Sequence, residues 1–178
     1  MKPLDKNAAA ALLLDQFSKA SCVLVGQSAV SNPALVKALV QWLNGEDKLL
    51  AQRAAWVVGL LGDHHADLFL PYMDQLLKAI RKPHHDAVAR NIVRLWQFID
   101  LKDPYLGEVF EVCFKLLSSA HQAVAIRAFS ATVCGKICVK YPELANELKS
   151  MIPVWSQSES PAMKVRLREL SKQLEKLS

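Results

Sequence analysis

Apolar positions along this chain recur at intervals of three and four residues, the period of a helix with one face turned inward. Leu35, Val36, Leu39, Val40 and Leu43 form one such stripe, and Leu50, Ala54, Val57, Val58 and Leu61 form the next. Phe69, Met73, Leu76, Leu77 and Ile80 are followed in the same way by Val88, Ile92, Leu95, Trp96 and Ile99. Leu106, Val109, Phe110, Cys113 and Leu117 precede Ile126, Phe129, Val133 and Ile137. Start and stop residues punctuate the stripes: Asn32 stands before Pro33, Asn44-Gly45 and Gly62 are expected to end helices, and Lys82-Pro83-His84 and Ser118-Ser119 mark turns. Pro71 falls in a first turn, where its missing amide is harmless.

These stripes come in pairs, and the pairs repeat. Asn32-Pro-Ala-Leu35, His65-Ala-Asp-Leu68, Asp103-Pro-Tyr-Leu106 and Tyr141-Pro-Glu-Leu144 mark units 33 to 39 residues long. A helix-pair repeat of that length predicts stacked pairs that bury a shared core through contacts between neighbours. The expected division is one domain over 1–178, with an N-terminal cap at 1–31, repeats at 32–66, 67–102 and 103–141, and a capping pair at 142–178. The first segment reads as one and a half to two helices broken near Ser18 to Ser21. In the last pair, Pro153 is expected to kink or end the first helix. Met163, Leu167, Leu170, Leu174 and Leu177 give the second helix a narrow seam, as a terminal unit needs.

Composition adds little to this picture and removes several alternatives. The 178 residues are 52% apolar with 6 Gly and 8 Pro, which predicts an ordered chain able to bury a core without a metal or a disulfide. Cys22, Cys113, Cys134 and Cys138 all fall inside expected helices, so they read as reduced core thiols. No stretch has the run of apolar residues that a membrane span needs, and Asp15 cuts short the apolar run Ala8 to Leu14. A cytoplasmic protein without cofactors is the expectation. A net charge of +5 favours anionic partners only mildly.

An Arg recurs inside the second helix of each pair, as in Ala51-Gln-Arg-Ala-Ala55, Val88-Ala-Arg90 and Ala125-Ile-Arg-Ala128. Together with the early prolines and the repeat length, this resembles HEAT repeats, members of the armadillo-like helical class, over roughly residues 32 to 178. More narrowly, Gln52-Arg-Ala-Ala-Trp-Val57, His84-His-Asp-Ala-Val88 and Arg127-Ala-Phe-Ser-Ala-Thr-Val133 are similar to a group of small bacterial HEAT-repeat proteins. The resemblance implies an all-α, right-handed superhelix of about four helix pairs. It also implies second helices on the concave side and a non-enzymatic, protein-binding role. Some members of that group carry an adenylosuccinate lyase label, but the Ser-Ser-x-Met-Pro-x-Lys loop of that superfamily is missing, since Ser118-Ser119 continues as Ala-His.

Arg53, Arg90, Arg127 and Arg166 stand 37, 37 and 39 residues apart. By a wheel count at about 100° per residue, Arg53 and Arg166 sit at the edge of their stripes and are expected to brace a neighbouring repeat. Arg90 and Arg94 point away from theirs. Second helices carry twelve basic against six acidic side chains, and first helices six against seven. The candidate partner-binding residues are therefore Trp56, Arg90, Arg94 and Arg127, on a basic second-helix face suited to an acidic protein or peptide. Nucleic acid is the alternative partner, with the HEAT-like alkylpurine DNA glycosylases as the enzymatic version, although no Asp sits in the middle of a second helix. A monomer or weak homodimer is expected. His64-His65 and His84-His85 lie a helix apart and cannot share an ion; His121 occupies the turn equivalent to His84-His85, yet no carboxylate beyond Asp86 is near, so no metal site is expected. No residues form a nucleophile–base pair or a phosphate-cradling loop.

Overall fold

The computed structural model describes residues 4–83, 85–157 and 159–177. It contains ten α-helices and no strand among those residues. The chain forms two compact units, residues 1–101 and 102–178.

The N-terminal unit consists of α1 (Lys6–Asp15), α2 (Lys19–Val30), α3 (Pro33–Leu43), α4 (Lys48–His65), a 3-10 turn (Ala66–Tyr72), α5 (Met73–Arg81) and α6 (Asp86–Trp96). Side chains cap the helices: Asp5, Ser18, Asn32 and Asp47 each accept from a backbone N–H of the first turn, Asn32 as its place before Pro33 leads one to expect. The first segment is thus a full helix pair. Helices α1, α3 and α5 pack in one layer and α2, α4 and α6 in a second, with α4 against α6 the most extensive contact. Asn44 ties neighbouring repeats together, donating to the Val40 and Gln75 carbonyls at 3.1 Å each.

Small residues decide how α4 packs. Ala51, Ala54, Ala55, Gly59 and Gly62 are buried beside Val57, Val58 and Leu61, because α2, α3 and α6 all pack against this helix. Gly62 does not stop the helix, which runs on to His65, and no glycine has a positive φ. Its role is close approach: a Cβ there would stand 3.2 Å from the Leu95 Cα. Pro71 likewise lies in the 3-10 turn before α5 instead of in its first turn. Helix α6 ends at Trp96, and Ile99 is buried from the stretch that follows.

The C-terminal unit consists of α7 (Tyr105–Ser118), α8 (Val124–Lys140), a short 3-10 turn (Pro142–Leu144), α9 (Ala145–Ser156) and α10 (Pro161–Glu175). Of the two expected effects of Pro153, an early end to α9 is not seen, since the helix runs on to Ser156. The residue is exposed, and burial of Ile152 and Trp155 holds the last turn in place. Trp155 packs edge-on against Phe114 of α7 with ring centroids 5.8 Å apart. Tyr141, after α8, donates to the Asp103 carboxylate before α7 at 2.7 Å.

Cys113, Cys134 and Cys138 are buried, unbridged thiols in this unit. Burial lifts the Cys134 thiol well above its ordinary range, with the hydrogen bond to Cys113 adding to it. Burial, followed by Glu143 and Glu147, pushes Cys138 up to about 11. Well below pH 9 the Cys134 and Cys138 thiols are protonated in both folded and unfolded chains, and stability is independent of them. Between pH 9 and about 11 the unfolded chain loses its protons first, so stability falls as the pH rises. Unfolding free energies from urea titrations at pH 7, 9 and 10.5 should change little up to pH 9 and then fall by at most about 1.4 kcal/mol per pH unit per thiol. The variant Cys138→Ala should decline less steeply, and parallel curves for variant and parent would refute the assignment.

Candidate binding face on the second helices

The candidate residues do not share one environment. Trp56, Arg90 and Arg94 belong to the N-terminal unit, on α4 and α6. Arg127 belongs to the C-terminal unit and is only 4% exposed.

Arg127 is corrected from partner-binding candidate to internal brace. Its Nε donates to the Leu117 carbonyl at 2.9 Å, and its guanidinium pairs with Glu159 in the link between α9 and α10. The Leu117 carbonyl lies in the last turn of α7, where backbone acceptors lack helical partners and cations are favoured. Arg53 does the same in the N-terminal unit: its guanidinium donates to the Leu13 and Leu14 carbonyls at the end of α1. The bracing expected of Arg53 is present. Arg166 instead pairs with Glu169 on its own helix at 3.1 Å and remains part-exposed.

Arg94 is partly committed as well. It reaches back to Asp63 at the end of α4, at 2.8 Å, with both side chains about one-third exposed. Such a pair adds modestly to stability and leaves some charge on the surface. Arg90 differs from the others. It is exposed and forms no hydrogen bond or ion pair among the described residues.

Trp56 and Arg90 line one open hollow of about 220 Å³ between α4 and α6, together with Phe17, Gln52, Ala87 and Asn91. Gln52 and Trp56 are four apart on α4 and so share a face. Phe17 comes from the link between α1 and α2, and its ring centroid is 5.2 Å from that of Trp56, tilted by 55°. The Arg53 guanidinium lies 4.6 Å from the Phe17 centroid, so cation, ring and tilted indole form one continuous wall. Asn91 is buried in the floor, donating to the Ala87 carbonyl at 2.8 Å and lying against Gly59, where a Cβ would come within 2.8 Å of its Cγ. The sequence reading passed over Phe17, Gln52 and Asn91. An aromatic residue directly before the capping Ser18, in a link where polar residues are usual, was the one available signal.

The C-terminal unit has a counterpart. Between α8 and α10, Ala131, Thr132, Arg166, Glu169, Leu170 and Gln173 line a hollow of about 60 Å³. Thr132 stands three residues before Gly135, as Trp56 stands three before Gly59. Gln173 donates to the Gly135 carbonyl at 3.1 Å. This hollow is smaller, lacks an aromatic wall, and its Arg166 is paired with Glu169.

His85, not Asp86, caps α6, with its Nδ1 accepting from the Ala87 N–H at 3.0 Å. His84 lies outside the described residues. Among those described, no three His, Cys, Asp or Glu side chains come together as a metal set, and no helix is long and apolar enough to cross a membrane.

Consecutive helix pairs within each unit, with side chains capping helix starts and arginines bracing helix ends, define a helical repeat protein. The chain belongs to the HEAT repeat domain family, whose model matches residues 10–174. No curated protein and no solved structure gives a match. HEAT repeats generally mediate protein–protein interaction, and the family is typically a non-enzymatic scaffold.

Proposed function

We propose that this protein is a non-enzymatic scaffold that binds an acidic protein partner on the second-helix face of its N-terminal unit, through Trp56, Arg90 and Arg94. The observation that carries this reading is Arg90: a guanidinium held at the surface with no hydrogen bond or ion pair among the described residues, beside a fixed aromatic wall. Leaving a strong donor unpaired costs nothing in water, and it becomes valuable when a carboxylate arrives. Aromatic and Arg side chains are also the residues that most often dominate binding energy at protein interfaces. Of the other arginines of the recurrent series, Arg53 and Arg127 bind the ends of other helices, and Arg166 is paired with Glu169 on its own helix.

Charge reversal tests this directly. The double variant Arg90→Glu/Arg94→Glu should fold, because Arg90 is exposed and the Arg94–Asp63 pair is only partly buried. Acidic partners co-purified with the parent chain should be lost with the variant. Unchanged recovery would remove this face from consideration. Phosphate-backbone binding is the competing outcome: duplex DNA bound with a log–log salt slope of about −0.9 per phosphate contact would replace the protein partner with nucleic acid.

A further inference from the structure

The hollow between α4 and α6 is more specific than a basic face. We propose that it is an anchor pocket for one bulky apolar side chain flanked by a carboxylate, as in a Phe-Asp pair within an acidic segment of the partner. This deepens the reading of the face given above and rests on it.

Size sets the first limit. At about 220 Å³ the hollow lies below the roughly 300–1,000 Å³ of small-molecule sites, so it suits one large side chain better than a metabolite or cofactor. Its walls set the chemistry. Phe17 and Trp56 offer ring faces, Ala87 gives an apolar floor, and Arg90 and Gln52 hold polar groups at the rim. An entering ring meets the aromatic wall in offset or edge-on geometry, and a neighbouring carboxylate takes up the guanidinium of Arg90.

Rigidity is the second argument. Arg53 stacks on Phe17 and anchors to the end of α1, so this side of the pocket is held before any ligand arrives. Asn91 is fixed by its bond to the Ala87 carbonyl and by contact with Gly59. A pocket already in its bound shape spends little conformational entropy on binding.

The third argument is the contrast between the two units. Each has a hollow between consecutive second helices, opposite a helical glycine faced by an amide side chain. In the C-terminal one the space is about 60 Å³ and the Arg has an internal carboxylate, Glu169. In the N-terminal one the space is more than three times larger, the wall is aromatic, and Arg90 lacks an internal carboxylate among the described residues. The missing acid is what the partner would supply.

The test uses the whole chain labelled with nitrogen-15 and three capped tripeptides: Asp-Phe-Asp, Asn-Phe-Asn and Asp-Ala-Asp. Trp42, Trp96 and Trp155 are buried, so Trp56 is the half-buried indole among the four and its side-chain N–H signal reports on the pocket. The signal is assigned with Trp56→Phe. Asp-Phe-Asp should shift it saturably with millimolar or tighter affinity. Replacing the acids or the ring, or making Arg90→Gln, should weaken binding at least tenfold. Shifts that ignore the carboxylates or the ring, or the absence of a saturable shift at Trp56, would overturn the pocket. If the tripeptides fail while Arg90→Glu/Arg94→Glu still loses its partner, the face survives and the pocket does not. Retained capture by that double variant removes the face itself.

Discussion

Replacing Arg127 by Ala should destabilise the protein by about 3–5 kcal/mol, the usual cost of removing one member of a buried, hydrogen-bonded ion pair. Arg127 and Glu159 have side chains only 5% and 8% exposed. Without the guanidinium, the Glu159 carboxylate is left with its opposite charge gone, and the Leu117 carbonyl loses its Nε donor. Three places separate after that loss: the end of α7, the start of α8 and the link into α10. Arg127→Lys should recover only part of the stability, since an ammonium can meet Glu159 but lacks the planar fork that also reaches Leu117. The double variant Arg127→Met/Glu159→Met should be far milder than Arg127→Ala, because it removes both charges together. Urea unfolding of the four proteins decides it. A loss below about 1 kcal/mol for Arg127→Ala would mean that the pair is not internal, since exposed pairs contribute that little.

The second large effect is expected at Gly59. Alanine is the better helix former by about 1 kcal/mol, so in an open helix Gly→Ala would stabilise. At Gly59 the added methyl would stand 2.8 Å from the Cγ of Asn91 and 3.1 Å from its Cβ. Asn91 is buried, so it can yield only by giving up its bond to the Ala87 carbonyl or by pushing α6 away from α4. Gly59→Ala should therefore cost about 1–3 kcal/mol, as overpacked interiors do. Adding Asn91→Ala should restore most of it, and the non-additivity of that pair is the signature of direct contact. Gly107 is the control. It lies in α7 with nothing within 4 Å of a Cβ, so Gly107→Ala should leave stability unchanged or raise it by up to about 1 kcal/mol. Gly59→Ala should also disturb the Trp56 pocket, because Asn91 forms part of its lining.

The same reasoning separates the arginines, which are alike in sequence. Arg53, Arg90 and Arg127 recur at equal spacing, yet two end helices internally and one stays at the surface. What differs is the acceptor within reach. Arg53 finds the carbonyls closing α1, and Arg127 finds one closing α7 together with a buried glutamate. Arg90 has nothing comparable among the described residues, which is why it alone of the three is available to a partner.

The sequence by itself determined the helix pairs, most of their boundaries and their apolar stripes. Each of these depends on residues within about four positions of one another: a cap and its first-turn amide, or Leu106, Val109 and Phe110 on one face. Only the tertiary structure decided which arginine is buried, why Gly62 lies inside a helix, and that Phe17 and Trp56 build a wall. Those outcomes depend on pairs far apart in the chain, such as Arg53 with Leu13 or Asn44 with Gln75, and on small residues that leave no mark in a hydrophobic pattern. Local periodicity specifies a helix and its inward face. Which atom of another helix meets a given side chain is settled only when the helices pack, because a shift of one residue along or around a helix brings a different neighbour into contact.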